Sequence, residues 1–388
     1  MSDFTIGIIG LGGRISGVAN NIMDQDQRFR LVGYADPTPF GADRLRHEHA
    51  AQAFTDAEEM VSTLKPDAIL IGSPNHLHLE HLEIALGSGA KVFCEKPVVL
   101  NEDETWRAAE LLREHGQERF LVGLVLRSAW LFETVMEQIA NGTIGDIISM
   151  EANELLFPDH GAFLMRDWRR LRKYVGSYIL EKCCHDIDLY QALCGSRIRR
   201  IASFGGRNIF TAEHRDLEQH PEAERYGRWR EGWSSGPKTM LCDSDGDVLD
   251  HQLAAMECEN GARISFHSNT HSAWHQRRWV ICGHRGTIEC DLATTSGRIQ
   301  AVFGEEQAFT PPESSSAASH YGADQRMAAA VKASWLEGAE FPVPTRAALE
   351  AGLAAMGMDR AQRSGQIVDL SDTWQRFDAI INPIGSPV

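Results

Sequence analysis

No run of about eighteen apolar residues occurs in this chain of 388, so no transmembrane helix is expected. Dense Lys/Arg clusters are also missing, and the net charge is −16. That balance argues against nucleic acid or an anionic membrane surface as the main partner. The first residues, Met1-Ser2-Asp3-Phe4, lack a basic segment followed by an apolar one, so no secretory signal is expected. None of the eight cysteines (Cys94, Cys183, Cys184, Cys194, Cys242, Cys258, Cys282 and Cys290) forms a Cys-x-x-Cys pair. A chain this long needs no disulfide framework, which points to reduced thiols and a cytoplasmic location. Internal repeats are absent as well.

What the chain does have is length for two domains and 43% apolar residues to build their cores. Phe4 to Ile9 reads as a buried strand. After a glycine-rich turn, Ile15, Val18, Ala19 and Ile22 fall on one helix face. Strands are expected again at 31–35, 68–71, 91–94 and from 120, with helices at about 77–86 and 103–115 between them. Strands alternating with helices imply a parallel sheet with right-handed crossovers. A first domain over residues 1–122 follows, of the doubly wound Rossmann type. From 123 to 388 the texture changes. A helix at 131–139 precedes strand-like stretches at 147–152, 198–204, 253–258, 262–266, 278–282 and 287–290. Turns such as Glu259-Asn260-Gly261 and His284-Arg285-Gly286 join several of them, a hairpin signature. The second domain is therefore expected to be α+β, with a large, mostly antiparallel open sheet. Residues 206–247, polar and rich in Trp and Gly, read as a long insertion, and 311–319 as a loop.

Three constellations carry chemistry. Gly10-Leu11-Gly12-Gly13 follows the first strand, where a tight turn and a helix N-terminus can hold a pyrophosphate. The strict fingerprint asks for Gly or Ala at Ile15. Asp36 ends the second strand, 24 positions after Gly12, placed to accept from ribose hydroxyls and to repel a 2′-phosphate. NAD is therefore expected over NADP. In Cys94-Glu95-Lys96-Pro97, a lysine follows a buried parallel strand, where such folds bind ligands. The third is the segment from Gly176 to Asp188. If it is helical, Glu181, His185 and Asp188 share one face at i, i+4 and i+7. Histidine is the side chain suited to take a proton near neutral pH. No further His/Cys cluster is spaced to complete a metal site there, so none is expected.

With these residues assembled, and with Ser73-Pro74-Asn75-x-x-His78 and Trp168-Arg169 added, the chain resembles the Gfo/Idh/MocA family of sugar and inositol oxidoreductases. The resemblance implies a Rossmann domain, a C-terminal domain with a large open sheet, tightly bound NAD(H) or NADP(H), and homodimers or homotetramers formed through that sheet. It implies a sugar or polyol substrate. Lys96 and His185 would be catalytic, with His185 as acid/base and Lys96 stabilising an oxyanion, and Glu181 would join them. Many members have aspartate at the position of Glu181 and glycine at that of Cys183. By the same resemblance the cofactor would be met by Gly10, Gly12, Gly13, Arg14, Ile15, Asp36, Ser73, Asn75, His78, Glu95, Lys96, Trp168 and Arg169. Arg127, Asp188, His185 and Lys96 would line the substrate. By the same resemblance two alternatives stay open for this chain, a glycoside-cleaving enzyme that uses bound NAD transiently and a non-catalytic sensor of nucleotide or sugar.

Other features have plainer readings. His267, His271 and His275 repeat every four residues, but their surroundings suit a strand and a loop with unrelated histidines. His320-x-Gly322-x-Asp324 opens a helix-like stretch, with Asp324 as a cap or His320 near substrate. Trp229, Trp233 and Trp274 read as packing, with sugar stacking as the alternative.

Overall fold

The protein is described here from a computed structural model, which covers residues 2–46, 51–226, 229, 240–311 and 319–383. Trp233 and most of the loop expected at 311–319 lie outside these residues. The chain groups into two compact units, one of Met1–Val125, Asp324–Leu353 and Thr373–Val388, the other of Leu126–Ala323 and Ala354–Asp372.

The first unit is built on strands β1 (Phe4–Ile9), β2 (Phe29–Ala35), β3 (Gln52–Phe54), β4 (Ala68–Ile71), β5 (Lys91–Cys94) and β6 (Phe120–Val122). All pair in parallel, in the order β3-β2-β1-β4-β5-β6. Its helices are α1 (Gly13–Met23), α2 (Ala57–Leu64), α3 (His78–Gly87) and α4 (Glu102–His115). This is the doubly wound order, and its direction reverses between β1 and β4, which makes their carboxyl ends the ligand-binding crevice. The apolar run Ala68-Ile69-Leu70-Ile71 is wholly buried, as a strand covered on both faces must be. The short edge strand β3 was not foreseen, because three residues carry no periodicity to read.

The second unit holds α5 (Trp130–Ala140), β7 (Ile147–Leu155), α6 (Pro158–Leu164), α7 (Arg172–Val175), α8 (Tyr178–Cys194), β8 (Ile198–Gly206), β9 (His251–Cys258), β10 (Arg263–Asn269), β11 (Arg278–Gly283), β12 (Gly286–Asp291), β13 (Ser296–Ala301) and β14 (Glu306–Phe309). Then come α9 (Ala323–Glu337), α10 (Thr345–Ser364), β15 (Val368–Asp369) and α11 (Ser371–Ile381). The nine-stranded sheet runs β14-β13-β12-β11-β7-β10-β9-β8-β15. Only β7 and β10 are parallel neighbours. One face alternates buried (Met150, Ala152, Ile264, Phe266, Trp279, Ile281) against an exposed one, the period-2 pattern of a sheet covered on one side. The unforeseen strands β13, β14 and β15 are short or lie in polar sequence.

Residues 324–353 and 373–388, expected in the second domain, group with the first unit. Trp335 of α9 stacks on Phe4 and meets Phe29 edge-on, at 5.8 and 6.4 Å between centroids. Thr345 of α10 donates from its backbone N–H to Gln117 (2.6 Å). Burial of large aromatics decides the grouping, and no local signal announces it.

The insertion is organised where it is described. The Asp250 carboxylate, 0% exposed, accepts backbone N–H bonds from Asn208 (3.1 Å), Ile209 (2.7 Å) and Phe210 (3.1 Å), and pins the start of the segment to β9. Short 3-10 turns follow at Ala212–Gln219 and Pro221–Tyr226. Trp229 is buried against Phe210 and His271, which is the packing role, whereas Trp274 is exposed. Asp250→Ala strands three backbone donors, of which the Phe210 N–H is buried, and is expected to cost about 1 kcal/mol or more in urea denaturation, since an orphaned buried group costs about 1–3 kcal/mol. A change below 0.5 kcal/mol, roughly the range of a neutral surface substitution, would show that the pin is dispensable.

Candidate active site

At the β1/β4 switch point the chain must turn within a residue of each strand end. Gly10 has φ +79°, and a Cβ there would lie 2.3 Å from the backbone of Ser73, so only glycine fits. At Gly12, the residue before α1, a Cβ would meet nothing within 4 Å. The protein itself does not require glycine at that position. An unfilled space beside a helix N-terminus is what a pyrophosphate requires. Ile15 departs from the fingerprint because the close contact is made from the other side. A Cβ at Gly72 would stand 2.4 Å from that of Ile15, whose side chain is fully packed. The Ile15 side chain fills the helix–strand seam.

Asp36 grips the turn it was expected to serve, accepting from Leu11 N–H (2.6 Å) and Thr38 N–H (2.7 Å). A carboxylate has about four lone-pair sites, so acceptor capacity remains for ribose hydroxyls. Arg14 is held by Glu95 (2.9 Å) and Asp324 (2.7 Å). The acid after His320 therefore closes an ion triad with the Glu95-Lys96-Pro97 turn, beyond any capping role. His78 was expected to face the cofactor, but it is 1% exposed and wedged between the carbonyls of Pro97 (2.8 Å) and Ser73 (2.9 Å). It is a clasp joining the loops after β4 and β5. Ser73 and Asn75 are buried beside it, with Ser73 Oγ on His81 Nδ1 (2.8 Å). Lys96 follows β5 at partial burial, before a cis peptide to Pro97.

In the second unit, α8 begins at Ser177, whose Oγ accepts from Leu180 N–H (3.1 Å), and ends at Gly195 in the left-handed region. The expected stripe is real, and all three of its groups are buried: Glu181, His185 and Asp188. Each carboxylate has an arginine. Arg127 makes a two-pronged bond to Asp188 (2.7 and 2.6 Å), and Arg169 Nε reaches Glu181 (3.2 Å). The Arg169 guanidinium also lies against the rings of Phe163 (4.2 Å) and Trp168 (4.1 Å), and burial lowers its pKa. Arg127 and Asp188, both expected to line the substrate, thus satisfy one another. Together these groups place a buried imidazole among fixed charges, an arrangement suited to proton transfer.

The sequence reading missed a second polar stripe on the same helix. Asp186 and Lys182 point to Arg277 and Glu154, all buried or nearly so. Burial pushes the Asp186 carboxyl up, to about 7, against the pull of Arg277. The one available signal was a pair of charges at 182 and 186 on a helix with little exposed surface. Of the three histidines spaced by four, His267 lies on β10 and His271 and His275 lie beyond it, with burial lowering the pKa of each.

Residues 4–124 match the model of an oxidoreductase family with an NAD-binding Rossmann fold, and residues 132–289 match the GFO/IDH/MocA C-terminal domain. The chain belongs to the Gfo/Idh/MocA oxidoreductase family. Among its curated relatives is the 2,7-anhydro-N-acetylneuraminate hydratase of Mediterraneibacter gnavus, 22% identical over 293 residues, covering 76% of this chain and 68% of that protein. Levoglucosan dehydrogenase, solved with NADH and levoglucosan, shares the fold at a TM-score of 0.76 and 17% identity, covering 95% of this chain and 100% of that one. Scyllo-inositol dehydrogenase of Lactobacillus casei, solved with NAD(H) and scyllo-inositol, gives 0.71 and 20% over the same shares. In this Gfo/Idh/MocA chain the glycine turn and the His185 helix both lie within the matched regions.

Proposed function

We propose that this protein is an NAD-dependent oxidoreductase acting on a hydroxyl or carbonyl carbon of a sugar, inositol or sugar derivative. The observation that carries the reading is the stripe on α8, a buried histidine between two arginine-paired carboxylates, in a chain that also keeps a glycine turn open at Gly12. Relatives solved with an anhydrosugar or an inositol support the substrate class.

The nicotinamide, when bound, supplies the hydride chemistry. The open turn at Gly10-Leu11-Gly12-Gly13 and the start of α1 would take the pyrophosphate, with Asp36 on the adenosine ribose. His185 takes or returns the hydroxyl proton at its imidazole. Lys96 supplies a fixed cation for the developing alkoxide. The arginine-paired Glu181 and Asp188 hold their charges in place around His185. Asp36 makes NAD the preferred nucleotide. NADH is therefore expected to bind more tightly than NADPH by fluorescence titration. Asp36→Ala should weaken NADH about tenfold or more, as loss of a hydrogen bond to a charged group does, and shrink the difference. Equal affinities in the unaltered protein would sink this assignment.

The experiment for the whole reading is to release and identify any bound nucleotide, then follow 340 nm absorbance with NAD and a panel of inositols, free sugars and glycosides. A second reading has one observation in its favour, the 22%-identical relative named as a hydratase. Under it the nicotinamide, held by the same glycine turn, would supply redox chemistry without net consumption, and His185 would move the proton, so product would form without net NADH.

We also infer that copies of this chain associate through the bare face of the nine-stranded sheet. Phe204 and Leu253, directly opposite one another on β8 and β9, are 74% and 45% exposed there. Phe204→Asp should lower the sedimenting mass at unchanged secondary structure. A monomeric unaltered protein would refute the inference.

A further inference from the structure

Four charged side chains are buried behind α8, where none is needed to touch a substrate. Arg277, just before β11, bonds Asp186 of α8 through Nε (2.9 Å) and Glu154 of β7 through the other arm of its fork (2.6 Å). Lys182, one turn earlier on α8, reaches Glu154 at 3.2 Å. Side-chain exposure is 4% for Arg277, 0% for Glu154 and Asp186, and 12% for Lys182. Beside them, the Tyr178 hydroxyl and the Cys183 thiol both meet Ser268 Oγ of β10.

Such a cluster is a poor way to gain stability. Desolvation consumes most of the attraction, and apolar side chains of equal volume often do as well. What it does well is fix register. The apolar contacts of α8, such as Ile179, Ile187 and Leu189, are non-directional and tolerate small rotations. A planar guanidinium forked between two carboxylates does not. Lys182 and Asp186 each directly follow a member of the Glu181/His185 stripe, about 100° further round the helix. Holding one stripe therefore holds the other. A turn of roughly 10° about the axis would carry a side-chain tip by about 1 Å, given a helix diameter of about 10–12 Å.

We propose that Arg277 is a positioning residue, which locks the rotation of α8 through Asp186 and Glu154 and so sets the aim of His185. The inference rests on the reading of His185 as the acid/base group. Misplacement of a reacting group by about 1 Å can cost about 100-fold in rate.

The test uses Arg277→Lys, which keeps the charge and loses the fork, and Arg277→Met with Glu154→Gln, which removes one charge of each sign. Both are made in the full-length chain. For each, the melting temperature, kcat and KM are measured on the best substrate of the inositol and sugar panel. The His185 imidazole signal is followed by NMR with labelled histidine, assigned by its loss in His185→Gln. The expected result is a 10- to 100-fold fall in kcat, KM within about threefold, and a displaced His185 signal in variants that still melt cooperatively. A lower melting temperature with unaltered kcat and His185 signal would overturn the proposal and leave a structural cluster. Unimpaired turnover in His185→Gln would instead sink the acid/base reading, and this inference with it.

Discussion

Replacing His185 by alanine is expected to lower kcat about 10²- to 10⁴-fold, the usual contribution of a positioned acid/base group. NADH should still bind, because the open glycine turn and Asp36 are untouched. Lys96→Ala should cost about 10²- to 10³-fold, as loss of one preorganised donor to an oxyanion does. Lys96→Arg should not restore it, since a planar fork does not replace a point charge. Stopped-flow traces at 340 nm with saturating NAD would separate these losses from weakened nucleotide binding. A His185→Ala protein within threefold of the unaltered rate would remove that residue from the mechanism. It would also favour chemistry centred elsewhere.

The second large effect concerns stability. Arg127→Leu removes the two-pronged partner of Asp188, whose side chain is 1% exposed. Breaking a buried pair from one side is expected to cost about 3–5 kcal/mol, because the carboxylate stays buried with its main counter-charge gone. Asp188→Asn in the same chain should recover a large part of that loss, since the leftover group is then neutral. Urea denaturation of both single variants and the double variant closes the cycle. Additive losses would mean that the two groups do not act on each other in stability. A loss under about 1 kcal/mol in Arg127→Leu, the range of exposed pairs, would mean that the site is wetter than its geometry indicates.

Much of the first unit was legible because its signals are local. A buried parallel strand is a short apolar run, a helix face repeats at i, i+3 and i+4, and a turn that needs positive φ selects glycine. Phe4–Ile9, Ala68–Ile71 and Lys91–Cys94 are found where they were expected. The α8 stripe was equally readable, since Glu181, His185 and Asp188 need only helical periodicity to be placed together.

Partnership was not legible, because it depends on which distant segment arrives. Nothing near Asp188 names Arg127, and nothing near Arg14 names Asp324, 310 positions away. His78 matched a cofactor-facing turn in sequence, yet the loop after β5 closes over it and makes it a clasp. Ile15 broke a fingerprint in sequence, yet Gly72 supplies the missing room from the next strand. The sequence by itself determined the parallel and antiparallel sheets, the nucleotide turn and the face on which His185 lies, since each follows from spacing along one segment. Only the tertiary structure decided which charges pair, which histidine is buried as a strut, and that Arg277 grips the helix carrying His185. Those outcomes are set by burial, where a charge must find its counter-charge across the fold or not be buried at all.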